Sequence, residues 1–129
     1  EDANKAFYAS LNAMFAGDMA PMDAIWEHSP DVTYLPPTGK RLAGWKAVRE
    51  SWQKQAKMKM GGKVEAKDVR VVMAAPTVAV VTATEVGENP NTPDGPMKVS
   101  IRATNIYRRG NLGWKMIHHH TDLLPELVK

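Results

Sequence analysis

The sequence predicts an α+β domain in which N-terminal helices pack on a curved antiparallel sheet and leave a cone between them. In the first half of the chain, apolar residues recur every three or four positions, the period of amphipathic helices, and from Lys63 onward they alternate, the period of strands. Short turns separate the alternating segments, which favours an antiparallel meander. With 129 residues, 43% of them hydrophobic, the chain is expected to form one domain over residues 1–129.

Helices are predicted before the sheet. Gly17 and the pair Gly61-Gly62 are end signals, since glycine is favoured just after a helix, and Pro21 is tolerated in a first turn. Trp52 lies on the apolar stripe of the last helix. The predicted helices cover residues 3–18, 21–28 and 44–60.

Strands are predicted from β-branched, aromatic and alternating segments. The first stops at Pro36-Pro37 and is followed by a turn through Thr38-Gly39, and a loop over residues 89–95 interrupts the later ones. The predicted strands cover residues 31–35, 63–74, 77–88, 97–110 and 113–124.

The charge balance argues against two classes of partner. Lysine and arginine number 17 against 14 aspartate and glutamate, which gives +3, and the basic residues are spread along the chain. Proteins that bind nucleic acids or membrane surfaces typically carry a run of basic residues, so neither partner is expected. No apolar stretch approaches the roughly 18 residues of a membrane span. The absence of cysteine excludes disulfides and thiolate sites. The compartment stays open between the cytoplasm and export after loss of a leader.

Three of the four histidines form one run in the last predicted strand. Alternate side chains of a strand share a face, so His118 and His120 are expected beside Trp114 and Met116, facing the cone. Imidazoles at this spacing, about 7 Å apart, can supply a catalytic base while other polar groups orient a carbonyl. The alternative is structural, because a buried histidine is usually satisfied by a hydrogen bond across the sheet.

A metal site is the third interpretation of the histidine run. Two imidazoles can chelate a metal, but a stable site needs a third ligand, and Glu85 and Asp122 are the candidates. We expect neither a metal ion nor a cofactor.

Two charged strand residues are candidates for ligand contact. Glu85 is in phase with Val81 and Ala83, so it is either an acid on an apolar face, where burial raises its pKa towards that of a base near neutral pH, or a surface charge if the strand has a bulge. Arg102 lies on the more polar face of its strand. It is either a solvated or interface arginine or an anchor that grips a carboxylate.

Aromatic and methionine side chains are expected to form the core and the wall of the cone. Tyr34 in the first strand and Trp52 in the last helix are candidates for contact with a flat hydrophobic ligand. At helical spacing such residues are more often core than pocket. The methionines expected with them are Met14, Met58, Met60 and Met116.

The order of elements and several motifs resemble the nuclear transport factor 2-like superfamily, and within it the SnoaL-like and ketosteroid isomerase-like group. The matching pieces are FYASLNAMFAGDM, IWEHSPDVTYLPP, the helix start at Gly44-Trp45, and YRRGNLGWKMIHHH. The last piece is also similar to the association domain of calcium/calmodulin-dependent kinase II, whose R-R, G-x-W and H-x-H pattern is matched by Arg108, Arg109, Gly113, Trp114, His118 and His120.

This resemblance implies a cystatin-like cone, a small-molecule pocket and a homodimer, since members commonly pair through the sheet. Members similar to the kinase association domain line their pocket with arginines, but the matched positions here are Thr104 and Thr121, which leaves Arg102 alone. Isomerases of the group place a basic aspartate where this chain has Pro36, and the strand over residues 97–110 contains no acid. These departures argue against steroid isomerisation by the familiar route.

Three functions stay open. The first is a small-molecule-binding protein with isomerase, cyclase or hydratase activity, in which His118 or His120 is the base and Arg102 or Tyr34 holds an oxygen. The second is a non-catalytic domain that binds or senses a small hydrophobic ligand in the same cone. The third is an association module whose purpose is the dimer, and a homodimer is expected under all three.

Overall fold

The structure is a computed structural model that describes residues 2–37, 39–92 and 95–123. In chain order these residues form α1 (Asp2–Phe15), α2 (Ala20–Ile25), β1 (Thr33–Leu35), β2 (Leu42–Ala43), α3 (Trp45–Met58), β3 (Lys63–Ala74), β4 (Val78–Thr92), β5 (Gly95–Gly110) and β6 (Gly113–Leu123). Among these helices none is long and apolar enough to cross a membrane.

The strands form one sheet in the order β2-β1-β6-β5-β4-β3. Strands β3 to β6 pair as the predicted antiparallel meander, β1 lies parallel to β6, and β2 adds a short antiparallel edge. The predicted α+β fold, with helices on a curved and mostly antiparallel sheet, is confirmed.

The structure differs from the predicted elements at their ends. Helix α2 stops at Ile25 because Trp26 leaves the helix and forms a bridge to Met116 of β6, where Trp26 is only 1% exposed. Strand β2 was not predicted, since two residues carry no periodic signal. Thr38 of the predicted turn and Leu124 of the predicted last strand lie outside the described residues.

The loop predicted over residues 89–95 belongs largely to the hairpin between β4 and β5. Asn89 lies opposite Met97, and the pairing resumes where Thr92 lies opposite Gly95. The buried Asn89 amide donates to the carbonyl of Gly61 at 2.8 Å, just after α3. The hairpin is therefore tied to the end of that helix, a contact between distant segments that periodicity does not reveal.

The core lies between the helices and the inner face of the sheet, defined as the face that carries Val81 and Tyr107. The apolar stripes predicted for α1 and α3 are both buried there, and each such side chain contributes roughly 1.5–3 kcal/mol. The largest fully buried apolar side chains are Trp26, Trp52, Tyr107, Phe7, Met14, Met22 and Met116.

Strand β6 contains a bulge at Ile117. Tyr107 lies opposite Met116 and Ile106 lies opposite His118, so Ile117 has no cross-strand partner. An extra residue shifts the alternation of the strand by one position. Met116 and His119, which are three residues apart, therefore both lie on the inner face, 0% and 2% exposed.

Candidate functional site

Glu85 on β4 and His119 on β6 lie at the floor of the cone, the cavity between α1, α3 and the inner face. They are 4% and 2% exposed, and Nε2 of His119 is 3.6 Å from Oε2 of Glu85. The pairing of β4 with β5 is regular from Val78 to Asn89, so Glu85 keeps the phase of Val81. Of the two positions that the sequence allowed for Glu85, the structure has the buried one.

Asn105, which lies opposite His119 on β5, connects this pair to α1. Its side-chain oxygen accepts a hydrogen bond from Nδ1 of His119 at 2.5 Å, and its amide nitrogen donates to Oδ1 of Asn4 at 3.0 Å and to the Tyr8 hydroxyl at 3.1 Å. Tyr8 in turn donates to Oε2 of Glu85 at 2.8 Å. The four side chains beside Asn105 are thus held by one continuous hydrogen-bond network.

These contacts determine which nitrogen of His119 carries the proton. Both hydrogens of the Asn105 amide are directed at oxygen atoms, so the Asn105 oxygen is the atom that meets Nδ1. An oxygen acceptor requires Nδ1 to carry hydrogen, and Nε2 of the neutral ring then holds a lone pair. The Nε2 atom and the Glu85 carboxylate are two acceptors that face each other.

Burial sets the charge of both groups. Desolvation raises the pKa of Glu85 to about 7, while the hydrogen bond from Tyr8 lowers it. Desolvation lowers the pKa of His119 to about 3, and the nearby His118 and His120 add to that effect. The distance between His119 and Glu85 is within ion-pair range, but a ring kept neutral by burial makes no ion pair. Glu85 therefore exchanges its proton near neutral pH beside a neutral imidazole.

The cone has a volume of about 400 Å³. Tyr34 and Trp52 stack on each other in its wall, with ring centroids 4.5 Å apart, and Tyr34 lies 5.6 Å from the His119 ring. Gln55 of α3 reaches the Tyr34 hydroxyl at 3.5 Å. Apolar side chains from the helices and the sheet complete the wall, among them Leu11, Phe15, Met58, Met60, Met97, Val99 and Ile101.

The prediction that His118 and His120 face the cone is wrong. Both lie on the outer face of the sheet, defined as the face opposite the helices, because the bulge at Ile117 reverses the alternation that Met116 had set. Nδ1 of His118 lies 2.5 Å from the Thr33 hydroxyl, and His120 is exposed. Of the predicted site residues, the structure brings together Tyr34, Trp52 and Glu85 and replaces the two histidines by His119.

Arg102 lies on the outer face as well. Its Nε and Nη2 atoms donate to the two oxygens of Asp122 on β6, each at 2.8 Å, in the bidentate geometry typical of arginine. With His120 it borders a shallow depression of about 380 Å³. Arg102 therefore grips a carboxylate of this chain and does not line the cone.

His119, Asn105, Gln55 and Tyr8 were not among the predicted site residues. One signal was available, since Asn105 continues the phase of Ile101 and is a polar residue on an otherwise apolar face. For His119 the sequence holds no such signal, because a bulge can be placed only from the pairing of two strands.

The residues that the structure describes contain no cluster of three histidine, aspartate or glutamate side chains able to hold a metal. His118 and His120 lie on the outer face, whereas Glu85 lies on the inner one. The set of ligands considered from the sequence is therefore divided between two faces.

Helices packed on one face of a curved open sheet are shared with solved structures of the nuclear transport factor 2-like superfamily. The chain belongs to the SnoaL-like domain family, which it matches over residues 1–123. No curated protein matches the chain.

Solved structures similar to this chain carry different descriptions. A protein from Thiobacillus denitrificans ATCC 25259, described as a calcium/calmodulin-dependent protein kinase type II association domain, is 28% identical, with 95% of this chain and 92% of that chain covered and a TM-score of 0.78. A protein from Streptomyces avermitilis, described as a dehydratase of the same superfamily, is 26% identical, with 95% and 91% covered and a TM-score of 0.79. The CaMKII hub from S. rosetta is 22% identical, with 94% of each chain covered and a TM-score of 0.72, and shares the fold.

Proposed function

We propose that the cone binds a small, largely apolar molecule and that Glu85 and His119 move a proton on it. The observation that supports this is the placement of a carboxyl group and a neutral imidazole, 3.6 Å apart, at the floor of an apolar cavity. Apolar walls keep water from the reacting groups and strengthen their electrostatic interactions with a ligand.

The two floor groups suit complementary roles. Desolvation gives Glu85 a pKa near neutral pH, which is where a general base or acid is most effective. The Nε2 lone pair of His119 accepts a hydrogen bond from a hydroxyl group of the ligand, or from the enol that forms when a ketone loses its proton, and so orients it. Tyr8 holds the carboxyl group in place through its hydrogen bond to Oε2.

The proposed base, Glu85, lies at the floor of the cone, whereas His118 and His120 lie on the outer face. The reaction class remains that of an isomerase, cyclase or hydratase, in which a proton is removed next to a carbonyl or a hydroxyl group leaves. The similar protein from Streptomyces avermitilis is described as a dehydratase, a reaction that needs both steps. That description is consistent with acid–base chemistry in this cone.

The test follows the exchange of hydrogen for deuterium beside the carbonyl of flat apolar ketones such as tetralone, by proton NMR in deuterium oxide. We expect the wild-type protein to catalyse exchange and Glu85→Gln to lose it, since the amide keeps the size of the side chain but cannot take a proton. Glu88→Gln, which removes an exposed acid from the same strand, is the matched control. Equal exchange rates for Glu85→Gln and the wild type would exclude Glu85 as the base.

A second function, association into a homodimer, is supported by the outer face of the sheet. Met73, Val80 and Ile106 are cross-strand neighbours there, and Met73 is 49% exposed. The similar structure described as a kinase association domain is consistent with assembly. An apolar row on an open sheet is the feature that a second copy would cover.

Sedimentation velocity tests this association. We expect the wild-type protein to sediment as a dimer and Ile106→Glu to sediment as a monomer, because the new carboxylate would be buried without a partner. Lys54→Glu, which places a carboxylate at an exposed position of helix α3, should leave the dimer intact. A monomeric wild-type protein would contradict the proposal.

A further inference from the structure

We propose that the ligand of the cone is a cationic amine on an apolar ring skeleton, whose N–H groups donate to Glu85 and His119. This inference rests on the proposed function and specifies the chemical class of the ligand that the same site takes.

The first support comes from atoms that lack a hydrogen-bond partner. In the described part of the chain, the polar side-chain atoms that are fully enclosed and unpaired are Trp26 Nε1, Trp52 Nε1 and Ser100 Oγ. Among the described residues, no hydrogen bond reaches Glu85 Oε1 or His119 Nε2, and both side chains line the cone. Two unused acceptors at the floor call for a ligand that brings donors.

The second support is that the hydrogen atoms of His119 and Tyr8 are already used in hydrogen bonds within the protein. Nδ1–H of His119 is taken by Asn105, so the ring cannot turn a donor towards the cone without breaking that hydrogen bond. Tyr8 already donates to Glu85 and, in doing so, spends its only hydrogen. A ligand carboxylate placed against these two groups would thus meet two acceptors, whereas a primary ammonium group can donate to both.

The third support is the charge of the wall. Among the described residues that line the cone there is no lysine and no arginine, so a ligand anion would find no counter-charge beside Glu85. A cationic ligand supplies the positive counter-charge that the buried Glu85 carboxylate does not find in the lining. Phe15, Tyr34 and Trp52 add aromatic rings to the lining, and aromatic faces attract cations as well as apolar rings.

The groups around Glu85 make its affinity for a cation depend on pH. Tyr8 of α1 and His119 of β6 contact Glu85, and its charge helps to raise the pKa values of Tyr34 and Tyr107. Each of these phenols has a raised pKa and the imidazole has a lowered one, so all stay neutral near pH 7 and Glu85 is the group that titrates. Binding of the amine should strengthen as pH rises towards 8, where Glu85 is ionised.

The experiment compares four naphthalene derivatives that share one skeleton and carry a primary amine, an alcohol, a ketone or a carboxylate. Isothermal titration calorimetry measures each dissociation constant at pH 8. We expect the amine to bind about tenfold or more tightly than the alcohol, and the carboxylate to bind most weakly. Glu85→Gln should lower the affinity for the amine to about that of the alcohol, and Glu88→Gln should retain the wild-type order.

The outcomes separate this inference from the proposed function. If the ketone and alcohol bind and the amine binds no more tightly, or if the carboxylate binds best, the amine inference is overturned while the cone remains a binding site. If Glu85→Gln keeps the preference for the amine, the inference is overturned too, because the charge that should select the amine is gone. If no member of the series binds, the proposed function fails together with the inference.

Discussion

Asn105 and His119 face each other across β5 and β6, and the hydrogen bond between them, 2.5 Å from Oδ1 to Nδ1, decides which nitrogen of the imidazole is free. The same amide donates to Tyr8 and Asn4 of α1. Asn105 therefore acts as a positioning residue: it lies behind the floor of the cone and controls the character of the atoms that a ligand meets.

Replacement of Asn105 by alanine should cost stability. The change leaves the His119 Nδ1–H group without its acceptor in a buried site, and an unpaired buried polar group costs about 1–3 kcal/mol. Urea denaturation measures the loss, and the nitrogen chemical shifts of His119 report whether the ring keeps its tautomer. Asn111→Ala, in the exposed turn between β5 and β6, is the control, and equal stabilities of the two variants would contradict the role of Asn105.

The buried acid should make stability depend on pH in a defined direction. The pKa of Glu85 rises from 4.5 in the unfolded chain to about 7 in the folded one, so between these values the folded state binds more protons and stability decreases as pH rises. His119 acts in the opposite direction, since its pKa falls from 6.5 to about 3 and stability increases with pH across that window.

Comparison with Glu85→Gln separates these two effects. The variant should gain stability relative to the wild type as pH rises from 4.5 to 7, by on the order of 3 kcal/mol. Urea denaturation at a series of pH values gives this difference, and Glu88→Gln controls for the loss of a carboxyl group. A difference that stays constant with pH would show that Glu85 does not hold its proton in the folded state.

Neighbouring histidines offer a matched test of the site. His119→Gln should reduce deuterium exchange of a bound ketone by about 100-fold, the usual scale of acid–base and orienting contributions. His120→Gln changes the next residue on the opposite face and should leave exchange unchanged. Thermal denaturation of both variants verifies folding, and a greater loss of exchange for His120→Gln would place the chemistry on the outer face.

A close backbone approach at Gly87 predicts a steric effect. Gly87 lies opposite Val64, and a Cβ at Gly87 would be 2.0 Å from the carbonyl oxygen of Lys63. Gly87→Ala should therefore separate β3 from β4 and destabilise the fold by about 1–3 kcal/mol, as overpacking does. Gly110→Ala, where a Cβ meets no atom within 4 Å, is the control in urea denaturation. Equal midpoints for the two variants would contradict the expectation.

The elements that periodicity predicts are those whose side chains face one uniform environment. The stripe that contains Trp52 on α3 and the alternation that contains Glu85 on β4 both follow the predicted spacing in the structure. Burial of one face determines these patterns, and the sequence alone records them.

The histidine strand and the short β2 strand could not be predicted in the same way. Ile117 breaks the alternation because Ile106 and Tyr107 of β5 pair with the residues on either side of it. No residue type near Ile117 indicates this bulge. The contact between Asn105 and His119 likewise depends on pairing across 14 positions of the chain. The sequence alone does not reveal the register between strands. That register determines which imidazole reaches the cone.

The methionines at the opening of the cone make this protein sensitive to oxidants. Met58 and Met97 line the cavity and are 49% and 48% exposed, so their side chains are accessible to peroxide. Conversion to the sulfoxide would turn a pliable apolar rim into a polar one, while the floor beneath it keeps its chemistry. Since the chain has no cysteine to react first, oxidation of these two methionines would alter the entry of ligands before it changed the side chains at the floor of the cone.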